Sequence, residues 1–144
     1  MNLLIELDLN IESLSSSAVY PVENGILKIA SGKSDVAGYG NDYIISVGDI
    51  ENTIDIQELG GYRTFNEFSL EVISNGWYDF AITEGAKFYN NEIKVFIIDD
   101  DDVTTLIYRG ALEKAPTFTN RNIVLEFGDI ERKYSNMNNK KLQV

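Results

Sequence analysis

Apolar and polar residues alternate along much of this chain. Leu3, Ile5, Leu7, Leu9 and Ile11 are separated by Glu6, Asp8 and Asn10, a period-two pattern that predicts a strand with one buried and one wet face. The alternation recurs at Phe68, Leu70 and Val72, at Ile93, Val95 and Ile97, and at Ile123, Leu125 and Phe127. Apolar runs at Ile26–Ala30, Tyr43–Val47, Ile50–Ile56 and Val103–Tyr108 read as further strands with less regular faces, and the excess of Ile and Val over Ala favours strand over helix.

Turn chemistry separates these runs. Asn24-Gly25 is a hairpin signal, Ser31 to Asp42 is a Gly/Ser/Asp-rich loop, and Gly48-Asp49, Gly60-Gly61 and Asn75-Gly76 mark further reversals. Helical segments are few. Ile11 to Ala18 is weakened by three consecutive serines, and Gly85 limits Thr83 to Tyr89 to a single turn. The best candidate is Asp129 to Tyr134, acidic at its start and basic at its end, as the helix dipole favours. The expectation is a mainly β fold: an antiparallel β-sandwich or barrel with one short helix and long loops, formed by residues 1–134 as one domain.

Composition narrows the chemistry. The 144 residues include no Cys and no His, which excludes disulfides, Cys/His zinc sites, thiol nucleophiles and imidazole-dependent triads. The net charge of −11 opposes tight binding to nucleic acid and to anionic membranes. It divides unevenly: the chain through Glu131 carries −15, and Arg132, Lys133, Lys140 and Lys141 then add +4. Residues 135–144 read as a basic C-terminal tail, flexible or ordered by a partner. The start of the chain has neither the basic residues nor the apolar run of a secretory signal, and no stretch reaches membrane-spanning length.

Several motifs fall short of chemistry. Ser31-Gly32-Lys33-Ser34 resembles the end of a phosphate loop, but Leu27 stands where the required upstream Gly belongs. Gly38-Tyr39-Gly40 lacks the third Gly of a dinucleotide loop. Asp99 to Asp102 lacks the alternating spacers and the Gly of a calcium loop, and reads as a solvated turn. Twenty-three carboxylates always permit a pair at glycosidase spacing, so their number is uninformative. Trp77, Tyr78, Phe80, Phe88 and Tyr89 cluster within a short stretch. They read mainly as core, with a ligand platform built on Trp77, Tyr78 and Tyr89 as the alternative.

One longer run has a more specific likeness. Phe68 to Val72 leads into Ser74-Asn75-Gly76; a loop precedes Glu92 to Ile97; Leu106-Ile107-Tyr108-Arg109-Gly110 follows; and Asn122 to Phe127 runs into Gly128-Asp129. This order, over residues 50–134, resembles the first barrel of tail hub and baseplate proteins of tailed bacteriophages, with Tyr108-Arg109-Gly110 at the aromatic-x-Gly position and Asp129 at the post-strand Asp. The resemblance implies a non-enzymatic virion subunit without cofactor or metal, located in a tail or baseplate. Its partners would be copies of itself and other tail proteins, in a ring whose acidic lumen lets DNA pass. The expected interface residues are Arg132 and Lys133 at the end of the domain, Lys140 and Lys141 in the tail, and Ser31, Gly32, Lys33, Gly38 and Gly40 in the loop. Two readings compete with it: a carbohydrate-binding β-sandwich using the aromatic platform, and an acidic mimic of DNA.

Overall fold

The computed structural model describes residues 2–31, 36–48, 67–119 and 121–129. Among them the elements are β1 (Asn2–Asp8), β2 (Val22–Glu23), β3 (Ile26–Ser31), β4 (Ile44–Gly48), β5 (Glu67–Ile73), α1 (Trp77–Thr83), β6 (Glu92–Ile98), β7 (Thr104–Leu112), β8 (Thr117–Thr119) and β9 (Asn122–Asp129). The strands pair antiparallel in the order β2-β3-β1-β6-β7-β9-β5-β4, with β8 added beside β9. Among the described residues no continuous ladder closes the sheet, and the fold is sandwich-like, mainly β with one short helix, as the alternation predicts. Ile50–Ile56, read as a strand, lies outside the described residues.

Register explains the core. Ile5 lies between Ile29 and Val95, and Leu7 between Leu27 and Ile93, so one rank of inward side chains crosses three strands. On the other half Phe68 faces Phe127, Leu70 faces Leu125 and Val72 faces Ile123. Both ranks belong to one buried cluster, which requires the sheet to fold back with its two inner faces in contact. The β2–β3 hairpin turns on Asn24 and Gly25, with φ of 53° and 76°, the left-handed pair that a two-residue type I′ turn demands.

The fold-back happens at β7. Val95 pairs with Tyr108 but Phe96 pairs with Leu106, so Ile107 is an inserted residue. This bulge turns both Ile107 and Tyr108 into the core, an arrangement that strict alternation forbids. Two residues on, Gly110 has no side chain because the Tyr108 ring occupies that space; a Cβ there would collide with the Tyr108 hydroxyl and sit 2.5 Å from the Gly128 carbonyl oxygen. The Tyr108 hydroxyl donates to that same carbonyl at 3.0 Å. The aromatic-x-Gly sequence is thus a packing unit in which the ring covers the glycine.

Asp129, where the charge pattern starts a helix, is the last residue of β9, paired with Gly110, and residues 130–134 lie outside the described set. The helix among the described residues is α1, in the aromatic stretch. Trp77 and Ala81, one turn apart, are its buried residues, and the Trp77 indole N–H donates to the Ile73 carbonyl at 2.8 Å. Gly76 begins it at φ 81°, packed beneath the Tyr20 ring. The segment Ile11 to Ala18 is not helical because its serines bond locally. Ser17 Oγ accepts the Val19 and Tyr20 amides, and Ser16 Oγ accepts the Asn24 amide.

Replacing Gly110 with Ala is expected to lower stability by about 1–3 kcal/mol, the usual cost of overpacking. Tyr108→Phe, which removes only the hydroxyl, should cost about 1 kcal/mol. Urea unfolding followed by tryptophan fluorescence reads both; an unchanged midpoint in Gly110→Ala is incompatible with this packing.

Candidate functional site

Two surfaces flank α1. The first is a groove of about 430 Å³ between the Ser17–Glu23 segment and Gly38–Tyr43. Its walls carry Tyr20, Tyr39 and Tyr43 beside Val19 and Pro21, with Glu23 the one charged residue of the lining. Gly40 makes the groove possible. Its amide donates to the Lys28 carbonyl and its carbonyl accepts the Ala30 amide, a parallel bridge onto the edge of β3. A Cβ at Gly40 would lie 2.7 Å from Pro21 Cγ and 2.9 Å from Tyr43 Cε2. Three residues later the Tyr43 carbonyl accepts the Ile73 amide, so this short segment fastens both ends of the open sheet.

The tyrosines are held individually. The Tyr39 hydroxyl donates to Glu6 Oε2 at 2.5 Å, and Lys28 Nζ lies 4.7 Å above its ring. Tyr20 packs tilted against Phe80, with centroids 5.8 Å apart. Burial, and then the bond to Glu6 and that carboxylate's charge, push the Tyr39 phenol well above its ordinary value. Burial also raises Tyr43, partly offset by a hydrogen bond with Asn75.

The second surface lies across the helix. Tyr78 stacks on Phe88 at 4.9 Å and meets Phe118 edge-on at 5.1 Å. Phe118 is 56 % exposed, and Ile82, one helical turn beyond Tyr78, is 46 % exposed. Phe118 projects from β8, whose three residues are all exposed. Beside it, at the β8–β9 turn, stands Arg121, which is exposed.

The residues expected from sequence fall unevenly on these surfaces. Gly38 and Gly40 line the groove, and Ser31 ends β3. Gly32, Lys33, Arg132, Lys133, Lys140 and Lys141 lie outside the described residues. Trp77 is corrected: with no exposed surface it fills the core and offers no face to a ligand. Tyr78 remains at the surface, with Phe88 and Phe118 as its partners, and Tyr89 is exposed. Tyr20, Tyr39 and Tyr43 are not among the expected residues. The signals that point to them are Tyr20 directly before Pro21 and Tyr39 between two glycines.

Charge is also arranged differently from a simple acidic wall. Lys28, Glu6, Lys94 and Arg109 occupy matched positions on four neighbouring strands, and Arg109 pairs with Glu92 at 2.5 Å. This outer face is mixed in sign. In the acidic turn, Asp99 Oδ1 accepts the Asp101 and Val103 amides, each at 2.9 Å, which closes a tight turn. No group of three or more acidic side chains suited to a metal ion occurs among the described residues.

The raised Tyr39 pKa sets an alkaline limit. Its folded value exceeds the unfolded value near 10, so its contribution is complete below about pH 10 and is lost as pH rises beyond it. Wild type should therefore lose stability more steeply than Tyr39→Phe as pH rises above about 10. Parallel slopes in urea titrations would show that Glu6 and burial do not hold the phenol proton. Against family models, curated proteins and solved structures, the chain has no match.

Proposed function

We propose that this chain is a non-enzymatic structural subunit of a phage-like tail or baseplate, acting by association with copies of itself and with other tail proteins. The supporting observation is the Phe118 ring, more than half exposed and joined through Tyr78 to Phe88 at the edge of the main buried cluster. Aromatic residues placed this way are typical anchors of protein interfaces. The mainly β architecture agrees with the barrel-like resemblance over residues 50–134. Among the described residues, short strands β2 and β4, of two and five residues, stand at the two ends of the sheet order. Short edges limit indiscriminate pairing and favour association through defined side-chain contacts.

The carbohydrate reading depends on a flat platform at Trp77. With Trp77 enclosed and Phe118 set at 78° to Tyr78, no observation favours it.

Purified full-length protein is expected to show a concentration-dependent mass above the monomer in light scattering, and rings in electron micrographs. Phe118→Ser should shift it toward monomer while leaving the far-ultraviolet circular dichroism unchanged. A strictly monomeric wild type at high concentration, absent from tail particles, overturns the proposal.

A further inference from the structure

We infer that the tip of the β8–β9 hairpin of one copy docks in the tyrosine-lined groove of a second copy, with Phe118 entering between the aromatic walls and Arg121 facing Glu23. The inference rests on the self-assembly reading and names the two surfaces that meet.

Charge restricts where two copies can meet. A body carrying −15 repels its own copies, so a self-contact must use surfaces that are neutral or of opposite sign. The hairpin tip meets that requirement: Thr117, Phe118 and Thr119 are uncharged and exposed, and Arg121 follows at the turn. Nearby Lys114 is held by Glu126 at 2.6 Å, whereas no side-chain ion pair is formed by Arg121 among the described residues. The groove is complementary. Asp42 lies exposed in the same turn as Gly40 and Tyr43, and Glu23, the charged residue of the lining, pairs with Lys28 at 3.9 Å while its side chain stays 59 % exposed, open to a second cation.

The shapes also match. Phe118 is a half-exposed ring on β8, the short strand beside β9, and the groove is a concave surface of about 430 Å³ walled by aromatic rings, with Val19 77 % exposed at its rim. With Phe118 56 % exposed, covering it removes about half of the roughly 150–250 Å² that a fully buried aromatic ring takes from water. The two surfaces are different and both adjoin α1, through Phe80 on the Tyr20 side and Tyr78 on the Phe118 side. A contact between unlike surfaces passes from copy to copy, and closes a ring where the rotation permits.

The absence of cysteine in the chain makes the test specific. Val19→Cys and Thr119→Cys are made in separate preparations carrying tags of different mass, then mixed and oxidised. The expected product is the mixed disulfide, in clear excess over either homodimer. Arg121→Glu should weaken self-association about tenfold or more, and adding Glu23→Lys to the same chain should restore it. All four positions are at the surface, and unchanged thermal unfolding checks the fold. If wild type associates but the mixed disulfide does not form and Arg121→Glu leaves the mass unaltered, the docking is wrong and self-assembly stands. A monomeric wild type at the same concentration overturns both.

Discussion

Three residue pairs, from Gly110 with Asp129 to Leu112 with Phe127, join β7 to β9 among the described residues, and at this short junction the two halves of the sheet meet. On one side lie β1, β3 and β6, and on the other β5 and β4. Tyr108 secures the junction in two ways: its ring fills the space left by Gly110, and its hydroxyl satisfies the Gly128 carbonyl. Tyr108 points inward opposite Val95, in phase with Gly110 and Leu112, and the bulge brings the inserted Ile107 into the core beside it. With a side chain at Gly110, the ring would have no place to lie.

The strands are legible in sequence wherever one face is wet. The alternation is clean in β1 from Ile5 onward because Glu6 and Asp8 point outward, and the Asn24-Gly25 turn is legible because few other dipeptides accept two left-handed residues. Legibility fails where tertiary contacts override period. Ile107 and Tyr108 are adjacent and both buried, which only the bulge explains. The helix at Trp77–Thr83 escapes the pattern because its amphipathic signal is two residues, Trp77 and Ala81, within seven. The charges around Asp129 suggest a false helix start because Asp129 continues a ladder with Gly110.

The groove is less legible still. Tyr20, Tyr39 and Tyr43 span more than one loop, and they converge because Gly40 bridges to the edge of β3. That bridge depends on a glycine for the approach of Pro21 and Tyr43, and the sequence marks the position only as one glycine in a glycine-rich loop. The reverse error arises at Trp77. As the sole tryptophan, in a run of aromatics, it resembles a recognition residue, yet its side chain is wholly enclosed beneath the helix.

The serines of the loop before β2 connect the fold to the assembly reading. Ser17 holds the Val19 and Tyr20 amides, Ser15 bonds Glu84 at 3.1 Å, and the Gly25 amide donates to the Ser15 carbonyl at 2.8 Å. These bonds fix one wall of the groove to the end of α1 and to the β2–β3 turn. The opposite wall is fixed by Gly40 on β3 and by Tyr39 on Glu6. A groove with both walls anchored loses little conformational entropy when occupied, which lets a small aromatic projection serve as an anchor. The same bonds that deny the segment a helix therefore give it a defined surface. In an acidic chain without Cys or His, such preshaped surfaces with few charges would offer contact between copies the least electrostatic opposition.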